Sequence, residues 1–171
     1  APWNPWDLKR QRAPGGSSSG TGVAVAARLA PAGIGSDTGG SVRIPAAMNG
    51  IVGLKTTAGR ISLKGCVYLS YSLDTLGPMT RDVTDSALLL EAMAGIDPHD
   101  ATTFAQPPME DVCAALLRPV KGMRLAVVDE RQLPDSTSPS MRRALAEAVL
   151  AFREAGVAIE TITLPDWFFT L

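Results

Sequence analysis

Histidine and cysteine are nearly absent: the 171 residues contain one histidine, His99, and two cysteines, Cys66 and Cys113. That scarcity excludes a zinc site built from Cys and His ligands and a disulfide scaffold, and no metal is expected. It also restricts nucleophilic catalysis, because a Ser-His-Asp triad has only His99 to draw on. His99 sits in the turn-like run Asp97-Pro98-His99-Asp100, which reads as a solvated loop and a poor place for a general base. A strong charge of one sign is missing as well. Lys+Arg number 16 and Asp+Glu 17, a formal charge of −1, so the basic footprint of a dedicated nucleic-acid binder is not there. The balance is uneven, with seven bases against two acids in residues 1–60 and nine against fifteen in the remainder. We read this as an ordinary mixed surface. Long apolar runs are lacking too: the longest, Val23 to Gly35, is interrupted by Arg28 and Pro31, and the N-terminal Ala1-Pro2-Trp3-Asn4-Pro5-Trp6 has no charged start followed by an apolar core. The expectation is a soluble, cytoplasmic protein with no membrane and no nucleic-acid partner.

What is present suffices for one α/β core, since 46% of the residues are hydrophobic. Eleven of the 16 glycines lie in residues 15–59, so irregular backbone is specified there, and residues from 82 onward read as conventional elements. Thr84-Asp85 opens a helix through Ala87–Met93 that stops at Gly95. Its apolar positions surround the axis, which predicts a well-buried helix. Residues 102–120, with Pro107, Pro108 and Pro119, read as a loop with at most one short helix. Gly122–Asp129 is an apolar run of the kind buried on both faces of a parallel sheet. Ser138 caps a helix with Pro139 at its first position, which ends at Gly156, and Val157–Leu164 resumes as strand. Together these three elements form a βαβ unit.

Two glycine/serine segments carry the chemistry. Pro14-Gly15-Gly16-Ser17-Ser18-Ser19-Gly20 has a linker's composition, yet it opens directly onto the Ala/Val-rich stretch Thr21–Leu29, which predicts a buried helix. A Ser/Gly turn in that place presents free N–H groups and hydroxyls at a helix N-terminus. Gly35-Ser36-Asp37-Thr38-Gly39-Gly40-Ser41-Val42-Arg43-Ile44-Pro45 has the form of a backbone nest. Asp37 closes an Asx-type turn, Gly39 and Gly40 let successive N–H groups converge, and Ser41 follows them, so an oxyanion formed by attack of Ser41 Oγ on a carbonyl would meet donors.

The Gly-Gly-Ser-Ser run, the Asp-Thr-Gly-Gly-Ser-Val-Arg-Ile-Pro-Ala run and the 24 residues between Ser17 and Ser41 together resemble the amidase signature family of serine hydrolases. The resemblance continues through Gly50–Thr57, Gly59–Ser62, Ser72–Arg81 and Leu88–Gly95. It implies an α/β fold, a mixed sheet sandwiched by helices in three layers, and hydrolysis of an amide C–N bond by a Ser-Ser-Lys triad without a cofactor. Ser41 is then the acyl-forming nucleophile, Ser17 the bridging serine after a cis peptide bond from Gly16, and the N–H groups of Thr38, Gly39, Gly40 and Ser41 the oxyanion hole. Gly16, Ser18, Asp37 and Arg43 support them, Arg43 bracing a carboxylate or carbonyl without entering the proton relay. The two hydroxyls are expected at hydrogen-bonding distance.

The family's lysine lies on a strand well upstream of the bridging serine, and Lys9, the sole lysine before Ser17, matches no family motif. The chain is therefore expected to be the central part of a single amidase domain, with the signature region in 1–81 and helices plus the βαβ unit in 82–171, and incomplete at both ends. Alone it is expected to be inactive, with the strand Val157–Leu164 and the apolar tail Trp167–Leu171 as exposed edges. Free-standing amidases of small amides and the A subunit of tRNA-dependent Asp/Glu amidotransferases resemble it equally, so the partners implied are a small amide substrate and either a homodimer or the other chains of an amidotransferase. A non-catalytic fragment is the remaining alternative. Two other enzyme classes fail on context. Asp37-Thr38-Gly39 occurs once, after Gly33–Ser36, which lacks the apolar strand of an aspartic-protease loop, and Gly20-Thr21-Gly22 lacks the third glycine of a dinucleotide fingerprint, Val25 standing there.

Overall fold

The computed structural model describes residues 2–165; the apolar tail Trp167–Leu171 lies outside them. It is an α/β structure that divides into two compact units, Ala1–Leu117 and Arg118–Leu171.

The first unit is built on a three-stranded antiparallel sheet in the order β1-β3-β2, with β1 Ala32–Asp37, β2 Val52–Gly53 and β3 Thr75–Thr80. The β1–β3 register runs from Ala32 opposite Thr80 to Asp37 opposite Thr75, and β2 sets Val52 opposite Thr80. Gly33–Ser36, which lacks the apolar pattern of a strand, is thus the middle of β1. The register explains this: the strand is specified by its need to lie close to a helix. A Cβ at Gly33 would come within 2.5 Å of Thr21 Cγ2, and one at Gly35 within 2.7 Å of Ser18 Oγ.

Helices α1 Ser19–Ala26, α2 Arg43–Asn49 and α3 Val83–Met93 pack on the sheet, and the short α4 Val112–Ala115 packs on α3. Val42, Ala46 and Met79 form the core between α2 and β3, with Ile51 against them. Burying a side chain of Met79's size contributes about 1.5–3 kcal/mol. The packing is close because glycine faces it: a Cβ at Gly53 would sit 2.5 Å from Ala46 Cβ, and one at Gly77 only 1.9 Å from the Leu54 carbonyl oxygen. Helix α2 stops where Gly50 turns left-handed at φ +66°. Its last carbonyls are taken by the N-terminal strap, Asn4 Nδ2 donating to Met48 O at 2.6 Å and Trp6 Nε1 to Asn49 O, a role the sequence of the strap did not announce.

Helix α3 differs from expectation in two ways. Its N-cap is Asp82, whose carboxylate accepts the Asp85 N–H at 2.9 Å, because a side chain caps the N–H three residues ahead of it. Only Ser86 and Ala87 are buried and Leu88 is 53% exposed, since β3 and α4 cover one side of the helix.

The second unit is the βαβ arrangement read from the sequence: β4 Arg124–Val128 and β5 Ala158–Ile162 are parallel, joined by α5 Pro139–Glu154. Ser138 accepts the Met141 N–H at 3.3 Å and Pro139 stands at the first helical position. Strand β4 is not buried on both faces. Leu125, Val127 and Val128 are half-buried while Arg124 and Ala126 are exposed, as a strand covered on one face should be.

The Gly77 contact gives a direct test. Replacing Gly77 with Ala drives Cβ into backbone that no side-chain rotation can clear, and should destabilise the protein by about 3 kcal/mol or more. Urea unfolding reads this as a lowered midpoint at constant slope; an unchanged midpoint would mean that the β2–β3 approach is not as close as described.

Candidate active site

The antiparallel register brings the C-terminal end of β1 against the start of β3, where Thr75 Oγ1 donates to Asp37 O at 3.1 Å. Loop 38–42, which follows β1, and loop 66–74, which precedes β3, therefore lie at the same end of the sheet. Asp37 is fully buried, and its carboxylate is surrounded by donors. Oδ1 accepts from Gly40 N at 2.7 Å and Arg43 Nη2 at 2.9 Å, and Oδ2 from Val42 N at 3.1 Å, Arg43 Nε at 3.1 Å and Arg43 N at 3.3 Å. The Arg43 guanidinium, ahead of the backbone N–H groups, holds the Asp37 carboxyl far below the usual carboxylate range, and Asp37 in turn raises Arg43. Helix α2 has no side-chain cap of its own at Val42; Asp37 supplies it from the strand.

This clamp leaves the other N–H groups of the turn unengaged. The Gly40 N–H is committed to Asp37, whereas among the described residues the N–H groups of Thr38, Gly39 and Ser41 have no protein acceptor. A Cβ at Gly39 would meet nothing within 4 Å, so the space above the nest is open. Thr38 is held by its hydroxyl, which donates to Asp74 Oδ1. This hydroxyl is the main cause, ahead of the Ser70 and Leu69 N–H groups, that lowers the Asp74 carboxyl.

The serine loop reaches the nest by backbone. Ser18 N donates to Ser41 O at 3.2 Å, Ser18 Oγ to Ser36 O at 3.4 Å, and the Gly16–Ser17 peptide is cis. Ser17 is exposed and Ser41 half-buried. Their hydroxyls make no hydrogen bond to each other among the described residues, in contrast to the expected contact; the two loops meet through Ser18. Arg43 braces Asp37 from the first turn of α2. His99 is exposed, and its N–H donates to Asp97 Oδ1 at 2.8 Å. No group of His, Cys, Asp and Glu among the described residues is arranged to hold a metal ion, and no helix there is long and apolar enough to cross a membrane.

A family model described as Amidase matches residues 1–169. The chain belongs to the amidase family. It is 49% identical over 163 residues to the A subunit of the glutamyl-tRNA(Gln) amidotransferase of Thermus thermophilus, a match that covers 95% of this chain and 33% of the relative. The structure of the corresponding A subunit from Thermotoga maritima matches with a TM-score of 0.87 at 40% identity, over 95% of this chain and 35% of that one. The peptide amidase of Stenotrophomonas maltophilia matches with a TM-score of 0.83 at 38% identity, over 96% of this chain and 33% of that one. The chain thus spans about a third of the length of the amidase relatives it matches.

Asp74 is the residue that reading the sequence left without a role, although it closes the uncharged run 65–73, an isolated carboxylate that demanded partners. Because the carboxyls of Asp37 and Asp74 are lowered in the folded state, the stability they contribute is complete above their ordinary value of 3.8 and is lost as the pH falls below it. Thermal melts from about pH 6 to about pH 2 should show that loss. Asp37→Asn should cost about 3 kcal/mol at neutral pH and flatten the acid limb; an acid limb as steep as the parent's would show that Asp37 is not its source.

Proposed function

We propose that the protein of which residues 1–171 form a part hydrolyses amide C–N bonds through an acyl-Ser41 intermediate. The observation that carries this reading is the joining of the two serine loops by the Ser18–Ser41 backbone bond beside a nest of unengaged N–H groups. A lysine supplied from outside residues 1–171 accepts the proton of Ser17 Oγ, and Ser17 accepts that of Ser41. Ser41 Oγ attacks the carbonyl carbon, and the oxyanion forms opposite the N–H groups of Thr38, Gly39 and Ser41. The Gly40 N–H stays with Asp37, so its part is to fix the turn rather than to donate to the oxyanion. The relay returns a proton to the leaving amine, and water then releases the acyl group by the same path. Gly16 and Ser18 place Ser17, and Arg43 with Asp37 holds the first turn of α2 under Ser41.

A second reading is favoured by the similarity to the A subunits of glutamyl-tRNA(Gln) amidotransferases: the amide is the side chain of glutamine, and the ammonia released serves a partner protein. Both readings use the same nucleophile and differ in the leaving group's fate, so they share a first test. A fluorophosphonate probe should label Ser41 in the protein carrying the lysine, not at all in Ser41→Ala, and about 10²–10⁴-fold more slowly in Ser17→Ala. Residues 1–171 alone should label at the slow rate. Stoichiometric labelling of this segment that Ser17→Ala abolishes would overturn the external lysine, and labelling at another residue would overturn Ser41.

A further inference from the structure

Asp74 uses its two carboxylate oxygens on two different loops. Oδ1 accepts the Thr38 hydroxyl, and Oδ2 accepts the N–H groups of Leu69 at 2.7 Å and Ser70 at 3.0 Å. It is buried, it stands directly before β3, and it is the only acidic or basic side chain from Gly65 to Thr80. The nest is consequently held at both ends by carboxylates. Asp37 takes the Gly40 N–H, Asp74 takes the Thr38 hydroxyl, and Gly39 between them has no side chain by which to be held.

We infer that Asp74 is a positioning residue for the nest: through Thr38 it fixes the direction of the Thr38 and Gly39 N–H groups, and through Leu69 and Ser70 it binds loop 66–74 and the nest into one unit. The inference rests on the proposed chemistry at Ser41. Donors stabilise a developing oxyanion only if they are aimed before the charge appears, and a nest with a glycine at its centre has no intrinsic means of staying aimed. The competing explanation is that Asp74 merely closes its own loop. In that case the Thr38 hydroxyl is incidental, and removing it changes nothing at Gly39.

The test compares Thr38→Val, Asp74→Ala, the double variant and Thr38→Ser. Thr38→Val is nearly isosteric and leaves Asp74 its two loop bonds, so it decides the question even if Asp74→Ala does not fold. In ¹⁵N relaxation, Thr38→Val should drop the order parameter of the Gly39 amide from about 0.85 to below about 0.6, while the amides of Val25 and Met79 stay rigid. In amide hydrolysis, kcat should fall about 10- to 100-fold with KM held within about threefold. The double variant should be no worse than Asp74→Ala, and Thr38→Ser, which keeps the hydroxyl, should hold the Gly39 order parameter well above that of Thr38→Val. A Gly39 amide as rigid in Thr38→Val as in the parent, losses that multiply in the double variant, or a raised KM at constant kcat would each overturn the assignment. A parent protein that hydrolyses no amide removes the proposed function, and the relaxation measurement then decides Asp74 by itself.

Discussion

A carboxylate with no exposed surface is expensive unless its charge is met on all sides. Asp37 meets that condition with five donors, three from backbone and two from one guanidinium. Much of the surrounding geometry follows from that arrangement. The chain must fold back on itself within six residues to bring Gly40, Val42 and Arg43 to one side chain. It does so only with glycine at position 40, where φ is +130°. The same fold-back leaves the N–H groups of Thr38, Gly39 and Ser41 without a protein acceptor among the described residues, so the nest is what is left after Asp37 has taken its share. Arg43 is half-exposed, which lets its own charge stay partly in water while it neutralises a group that has none.

The second constraint is distance. Strands β1, β2 and β3 approach α1, α2 and the Leu54 backbone more closely than side chains permit, and glycines at 33, 35, 53 and 77 make the approach possible. The consequence at the site is specific: hydrogen in place of Cβ at Gly35 leaves room for Ser18 Oγ. Ser18 in turn spans the strand and the Ser41 loop. Packing in the core and placement of the serine loop are therefore one arrangement.

Much of this was legible in the chain. The cap at Ser138, the stop at Gly156 and the parallel pair around α5 are local signals, each set by a few neighbouring residues. The turn closed by Asp37 was legible because Asp37 and the glycines lie within one turn of each other, and the family runs pointed to the two serine loops. Three features were not legible. The N-cap of α3 at Asp82 lay two residues before the position read as its start. The strand at Gly33–Ser36 carries no apolar alternation, since closeness to α1 rather than burial of side chains selects its residues. The pairing of Asp74 with Thr38 joins residues 36 positions apart; only the β1–β3 register makes them neighbours, and no local pattern encodes a register.

The strap at residues 4–14 has a dynamic consequence. Helix α2 has seven residues, too few to persist alone in water, and would unwind from its ends. Both ends are occupied: Asp37 holds the first turn, and Asn4 and Trp6 hold the last carbonyls, while Asn49 Nδ2 donates back to Pro14 O at 2.7 Å. The strap and the helix thus close a small ring of contacts around the segment that follows Ser41. With no loose end from which to fray, α2 behaves as a fixed anvil. Fraying of α2 therefore requires the strap or the Asp37 clamp to let go first.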